Sequence, residues 1–277
     1  MQCRCDSMTL EGVLFDAIIA AKKVVVNNLD QAAEKTGFEN PFGDKTLLLD
    51  QEAENAAIEV LQTSGYQMKI VTEEQGIINS EGKTEYLVII DPIDGSANLE
   101  RNIPLCTIGI SASSFKPNLT TDEIEISIVD SYFTKETYVA RKGQGVTCNG
   151  KPVSVAQPIP IEEAIISYDS KKKGDSYFSS ASQRIVDGVK DVRRTASNLL
   201  DLCWVAAGKL DAMVDLRDML PIIHVSGTHM VSEAGGYILG EGGDRFVMSL
   251  DSQYMMNFIA ASDESLAQSI HRLYVSK

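Results

Sequence analysis

Tyr86-Leu87-Val88-Ile89-Ile90-Asp91-Pro92-Ile93-Asp94-Gly95-Ser96 decides how this chain is read. Tyr86 to Ile90 is a short, nearly continuous apolar run typical of a buried strand, and that strand is expected to end abruptly at Asp91-Pro92. Two carboxylates three residues apart, where a buried strand runs out into a Pro-initiated turn, can point into one space at a sheet end. Hard oxygen ligands gathered this way suit Mg2+. Gly95 and Ser96 add a small residue and a hydroxyl at the turn, with exposed backbone N–H groups suited to a phosphate. Upstream, Val71-Thr72-Glu73-Glu74 ends another predicted strand with a second carboxylate pair. If the two strand ends converge, they make a dinuclear or trinuclear magnesium site holding a phosphate ester. By composition alone a plainer reading carries more weight: Asp-Pro-x-Asp-Gly is a good solvated β-turn, and Glu73-Glu74 a solvated strand end.

The whole-chain arithmetic bears on that choice. With 277 residues, the chain can bury a core without disulfides or metal staples. Its 25 basic and 39 acidic residues leave a net charge of −14, which lacks the electrostatic footprint of a nucleic-acid or anionic-membrane binder. A chain this acidic that handles phosphates needs positive charge from elsewhere, and divalent cations are the obvious source. Cys3, Cys5, Cys106, Cys148 and Cys203 form neither a disulfide ladder nor a tetrahedral zinc set, so all five are read as reduced thiols. No basic leader followed by an apolar run and no stretch of about 18 apolar residues occurs, so a soluble, cytoplasmic chain is expected.

Outward from the central stretch, Leu10, Val13, Leu14, Ala17, Ile18, Ala21, Val24 and Val25 describe one apolar stripe on a first helix over residues 8–29. Phe38 to Lys45 reads as a loop and Asp50 to Leu61 as a second helix. Strands are predicted over Ile103–Ser111, Glu123–Phe133 and Thr137–Arg141, paired antiparallel. Asn149-Gly150 is a type I′ hairpin signal, and a soft boundary near it separates an N-terminal α+β domain, 1–145, from a C-terminal α/β domain, 146–277. In the second part, strands at Ala164–Tyr168, Leu210–Asp215, Gly236–Leu239 and Met256–Ala260 alternate with helices at Tyr177–Val189 and Asn198–Ala207, one ending at Glu233, and a terminal one capped by Ser262-Asp263.

The ordered set Thr72-Glu73-Glu74, Asp91-Pro92-Ile93-Asp94-Gly95-Ser96-Ala97-Asn98, Gly143-Gln144-Gly145, Ala206-Ala207-Gly208-Lys209-Leu210-Asp211-Ala212 and Glu233-Ala234-Gly235-Gly236 resembles the inositol monophosphatase family. That family belongs to the lithium-sensitive, magnesium-dependent sugar phosphatases, which include fructose bisphosphatases. The resemblance runs from about Asp44 to Gly236 and reverses the preference for a plain turn. It implies a layered α-β-α-β-α fold with the metal site at the junction of the two halves. It further implies that Glu73, Asp91 and the Ile93 carbonyl hold one Mg2+, Asp91 and Asp94 a second, and Glu73 a looser third. Gly95 and Ser96 correspond to the phosphate cradle, with Asp94 beside it. The Ser96 hydroxyl, where the family more often has Thr, would orient the attacking water with Asp50.

One family carboxylate is missing. Where an Asp is expected, the chain reads Met219-Leu220-Pro221-Ile222-Ile223-His224-Val225-Ser226-Gly227. Counting back from Glu233 puts Ile223 at that position, and counting forward from Asp215-Leu216-Arg217 puts His224 there. Trp204-Val205-Ala206-Ala207-Gly208 resembles the missing motif only superficially and belongs to the helix before the next strand. Three readings stay open: His224 replaces the Asp and shifts preference toward Mn2+ or Zn2+; Asp218 or Asp215 swings in; or the second site is crippled.

Arg193, Arg194, Ser197 and Asn198 fall where the family covers its substrate hydroxyls, and Arg217 where archaeal dual-function members carry a basic residue. Such arginines either pair with a second phosphate or merely offset local acidity. The expectation is a Mg2+-dependent phosphomonoesterase acting on inositol monophosphate or fructose 1,6-bisphosphate, as a homodimer, with no nucleic-acid or membrane partner. The alternatives are an adenosine 3′,5′-bisphosphate nucleotidase and a catalytically weak binder of metal and phosphosugar.

Overall fold

The computed structural model describes residues 9–41, 45–250 and 254–276. Cys3, Cys5 and residues 42–44 of the expected loop lie outside them. In chain order the described elements are α1 (Leu10–Asn27), β1 (Lys35–Glu39), β2 (Lys45–Leu47), α2 (Leu48–Thr63), β3 (Met68–Thr72), β4 (Gly76–Asn79), β5 (Tyr86–Asp94), α3 (Ser96–Glu100), β6 (Thr107–Ser114), β7 (Ile126–Ser131), β8 (Thr137–Arg141), β9 (Gly145–Cys148) and β10 (Lys151–Val153). There follow β11 (Ile165–Tyr168), α4 (Ser176–Gly188), β12 (Asp191–Arg193), α5 (Asn198–Ala206), β13 (Ala212–Pro221), α6 (Val225–Glu233), β14 (Tyr237–Gly240), β15 (Met255–Ala261) and α7 (Glu264–Val275).

Eight strands form one sheet in the order β10-β9-β8-β7-β6-β5-β3-β4, and five form a second in the order β12-β11-β13-β15-β14. The first sheet is antiparallel except at β3–β5, and the second pairs β12, β11 and β13 in parallel before turning antiparallel. On the outer face of the larger sheet, α1 and α2 bury Val13, Leu14, Ala17, Leu49, Ala53 and Leu61 against Val88, Ile90 and Ile108. Its other face, carrying Leu87, Ile89 and Val129, shares a core with Leu199, Leu202 and Met230 of α5 and α6 and with Met213 and Phe258 of the smaller sheet. The far side of that sheet packs on α4 and α7 through Ile166, Phe178, Ile259 and Ile270. The result is the five-layer α-β-α-β-α arrangement. Helix and strand periodicities each leave one apolar face to bury, and stacking the layers buries them all.

The helix starts follow from local chemistry. Thr9 Oγ1 accepts from Gly12 N at α1, Asp175 Oδ1 from Phe178 N at α4, and Asp263 Oδ1 from Leu266 N at α7. At the Asn149-Gly150 hairpin both residues have positive φ, 50° and 76°, as a type I′ turn requires. The expected boundary at 145/146 falls at the start of β9, and the larger sheet continues to Val153.

Two expectations need correction. Phe38 and Glu39 belong to β1, which pairs antiparallel with β2, so the chain before α2 is a hairpin where a loop was expected. The central strand also passes through Asp91-Pro92 and ends at Asp94. Its pairing on β6 moves from Asp91↔Gly109 to Asp94↔Thr107, three residues against two, which marks a one-residue bulge. Pro92, lacking an N–H, is tolerated in a central strand at such a bulge.

Candidate active site

The bulge explains how two aspartates three apart come to face one space. In a regular strand, residues an odd number apart point to opposite faces; one extra residue restores parity and puts Asp91 and Asp94 on the same side. Tyr132 braces it, its hydroxyl donating to Pro92 O at 2.5 Å. Gly95 then turns the chain with φ 97°, and a Cβ there would stand 2.9 Å from Leu105 O, so the turn admits only glycine without rearrangement.

A cleft of about 450 Å³ opens here, and Asp50, Glu73, Asp91, Ile93, Asp94, Gly95, Ser96, Arg217 and His224 all line it. Asp94 is the most firmly held. Its Oδ1 accepts from Asn198 N at 3.1 Å, and its Oδ2 accepts from Leu199 N and Ser197 Oγ, both at 2.7 Å, and from Thr107 Oγ1 at 3.2 Å. Burial alone would raise its pKa, but hydrogen bonds from His224, Ser197 and Leu199 and the His224 charge hold it below the usual carboxylate value. Ser197, expected at the substrate, is instead fully buried behind Asp94 with its hydroxyl spent on that carboxylate, and it does not line the cleft.

Asp91 is different. Its Oδ1 accepts from Ile93 N at 3.1 Å, while its buried Oδ2 makes no hydrogen bond. Burial pushes it up to about 7, opposed by His224 and reinforced by Asp94. Glu73 and Asp50 are also raised well above ordinary carboxylates, first by burial. The charges of Asp91, Asp50 and Glu74 add to this at Glu73, and those of Glu74 and Asp91 at Asp50. Carboxyls crowded and buried in this way resist ionising unless positive charge is placed among them.

His224 sits just before α6, and of the two positions left open at the missing carboxylate it is the one that faces the cluster. Its Nε2 is 3.2 Å from Asp91 Oδ2 and 3.4 Å from Asp94 Oδ1, and its Nδ1 is 3.2 Å from Pro221 O. One ligand atom from each of Asp91, Asp94 and His224 lies within 4.8 Å of the others. Burial would depress the imidazole, but the Asp94 hydrogen bond and the charges of Asp91 and Asp94 outweigh it and raise it to about 9. Ile223 is buried in the central core. Asp218 is tied to Asn257 by bonds of 2.6 and 3.2 Å, and Asp215 is paired with Arg217. The buried orphan oxygen and the oxygen-rich donor set fit a divalent cation.

Ser96 Oγ lies 3.2 Å from Asp50 Oδ1 and 2.9 Å from Ile93 O. Arg217 reaches the cleft wall from a bulge in β13, where pairing on β15 jumps from Asp215↔Phe258 to Leu220↔Met256. Its Nε donates to Asp215 Oδ1 at 2.9 Å and its Nη2 to Asp169 Oδ2 at 2.8 Å. Arg194 pairs with the same Asp169, and Arg193 with Asp191. Neither Arg193 nor Arg194 lines the cleft, whereas Asn198 does.

Three supporting residues escape a reading of the sequence. Glu54 of α2 is fully buried and accepts from Glu74 N at 2.8 Å and Gln75 N at 3.0 Å, which fixes the end of β3 against α2. Asn98 Nδ2 joins Leu105 O to Thr195 O, each at 2.7 Å. Tyr132 is the third. A polar residue on the apolar face of a predicted helix is the one signal that marks Glu54 in advance.

Ala196, at the cleft wall, has φ 61°, a conformation that costs a non-glycine residue about 1–2 kcal/mol. Ala196→Gly is therefore expected to stabilise the fold by about 1 kcal/mol after the loss to unfolded-chain entropy. Calorimetry should show a melting temperature about 2–4 °C higher.

An α-β-α-β-α fold with an acidic cleft at a strand end, its carboxylates placed to hold divalent cations, is that of the metal-dependent sugar phosphatases. The inositol monophosphatase family description matches residues 8–274, and the chain belongs to that family. It is 32% identical over 228 residues to a fructose-1,6-bisphosphatase/inositol-1-monophosphatase of Methanocaldococcus jannaschii, covering 82% of this chain and 84% of that one. It is 28% identical over 242 residues to the Nus factor SuhB of Vibrio cholerae, covering 84% and 87%. A crystal structure of an inositol monophosphatase–fructose 1,6-bisphosphatase matches with a TM-score of 0.83 at 29% identity, over 96% of this chain and 100% of that one. No helix among the described residues is long and apolar enough to cross a membrane.

Proposed function

We propose that the chain hydrolyses the phosphate monoester of a polyol or sugar, with inositol monophosphate and fructose 1,6-bisphosphate as the leading substrates. The observation that carries this is the bulge-borne pair Asp91 and Asp94, with the orphan Asp91 Oδ2 facing a cleft that Gly95 and Ser96 also line. Glu73, Asp91 and the Ile93 carbonyl would hold one Mg2+, and Asp91, Asp94 and His224 a second. When bound, such ions make water more acidic and neutralise charge on the leaving oxygen.

The chain's own groups do the rest. Ser96 Oγ, between Asp50 and the Ile93 carbonyl, positions the attacking water. Asp50, which accepts from that hydroxyl at 3.2 Å, takes the proton through it. The left-handed turn at Gly95, which has no room for a Cβ against Leu105 O, brings the backbone of Gly95 and Ser96 to the cleft wall, where its N–H groups suit a phosphate. Arg217, held by two buried aspartates, presents a fixed donor to a substrate hydroxyl or second phosphate. The cleft volume suits a sugar phosphate, and its described lining carries no Phe, Tyr or Trp on which a nucleotide base would stack. The family resemblance also supports action as a homodimer, which sedimentation would check.

Phosphate release from inositol 1-phosphate, fructose 1,6-bisphosphate and 3′-phosphoadenosine 5′-phosphate, each with Mg2+, Mn2+ or Zn2+, tests the reading. Release from one or both of the first two, lost in Glu73→Gln, is expected. No release with any metal would leave a binding protein in place of an enzyme.

A further inference from the structure

We infer that His224 turns one of the two cation positions into a mixed nitrogen–oxygen site, so that it takes a divalent ion that accepts nitrogen, Zn2+ or Mn2+, beside an all-oxygen position suited to Mg2+. The inference rests on the phosphatase reading only for the location of the metal centre. The two positions differ in donor chemistry. Glu73, Asp91 and the Ile93 carbonyl offer oxygen alone, whereas Asp91, Asp94 and His224 offer two carboxylates and an imidazole whose ligand atoms lie within 4.8 Å of one another.

The orientation of the ring is that of a ligand. Its Nδ1 is 3.2 Å from the Pro221 carbonyl, which can only accept, so Nδ1 keeps its hydrogen, and Nε2, which faces Asp91 and Asp94, is the atom whose proton a cation would replace. Metal-binding histidines are held in this way, with the second ring nitrogen donating to a carbonyl or carboxylate that fixes the tautomer. The backbone makes the arrangement rigid: Pro221 ends β13, a single 3-10 turn spans Ile222–His224, and its first two residues, Ile222 and Ile223, are buried in the central core. Asp91 Oδ2, buried, 3.2 Å from Nε2 and without a well-aligned hydrogen bond, leaves its lone pairs open to a cation shared with the ring. The other described histidines are engaged elsewhere, His229 Nδ1 with Ser127 and His271 Nε2 with Glu241 O. Imidazole suits Zn2+, and Mn2+, though it favours oxygen, accepts a nitrogen ligand more readily than Mg2+, which holds to oxygen and water.

Mn2+ bound to the full chain in excess Mg2+, followed by electron spin echo envelope modulation, reads the ligand directly. The wild type is expected to show nitrogen-14 coupling that changes to nitrogen-15 coupling when the protein is made with labelled histidine. His224→Asp should abolish it, and His271→Gln should leave it unchanged. Calorimetric titration should show the preference for Mn2+ over Mg2+ falling about tenfold or more in His224→Asp. Absence of Mn2+ binding, Mn2+ bound without nitrogen coupling, or coupling that survives His224→Asp would each overturn the inference. The labelled wild type gives the answer even if His224→Asp does not fold. Nitrogen coupling in a protein that releases no phosphate would support the metal assignment and remove the enzymatic reading; turnover without such coupling would do the reverse.

Discussion

Asp91→Asn is expected to lower phosphate release by about a thousandfold or more, a barrier increase of about 4 kcal/mol, while raising the melting temperature of the metal-free protein. Both effects come from one carboxylate. Asp91 is shared by the two proposed cation positions, so an amide there removes a charged ligand from each. Without a cation the same group is wholly buried beside the charge of Asp94, and burial alone pushes it well above the ordinary carboxylate value against the pull of His224. An amide keeps the bond from Ile93 N and carries no charge, so a neutral side chain replaces an ion crowded by Asp94. A gain of about 1–2 kcal/mol follows, or about 2–8 °C in a chain of this size. Phosphate release and calorimetry in a chelator check the two halves. Activity within tenfold of the parent would show that Asp91 does not hold the ions, and a lower melting temperature would show that the cluster is not strained.

Much of this site was legible because strong local chemistry and tertiary structure agree. The apolar run before Asp91, the turn residues after it and the amphipathic stripe of α1 each have one low-energy use, and the fold gives them that use. Legibility failed where a nonlocal partner decides. Pro92 looked like the end of a strand because the sequence does not show that β6 can pair across a bulge. Phe38 and Glu39 looked like loop because the partner strand, Lys45–Leu47, is only three residues long. Ser197 and Asp94 are far apart in the chain, so nothing local shows that the serine hydroxyl belongs to the aspartate. The choice between Ile223 and His224 likewise needed the 3-10 turn after Pro221, which rotates one residue into the core and the next toward Asp91.

With metal removed, the melting temperature is expected to fall as pH rises from 6.5 to 9. His224 has a folded pKa of about 9 against an ordinary 6.5, so its contribution is fully present below 6.5 and lost as pH climbs through 9. Asp91 and Asp201, both raised from 3.8 to about 7, bind more protons in the folded state over the range between those values. Their contributions therefore also decline with rising pH and are nearly spent above 7. His229 acts the other way: depressed to about 4, its contribution is present above 6.5 and lost only as pH falls toward 4. Above pH 6.5 the dominant slope is thus negative, a few kcal/mol in all, or on the order of 10 °C. Saturating Mg2+ or Mn2+ should reverse the trend. Metal binds the deprotonated ligands, so its stabilisation, about 3 kcal/mol at a hundred times Kd, grows as protons leave. The gap between metal-loaded and metal-free melting temperatures should widen with pH, and His224→Asn should flatten the metal-free curve. A gap independent of pH would mean that proton and cation do not compete for the space between His224, Asp91 and Asp94.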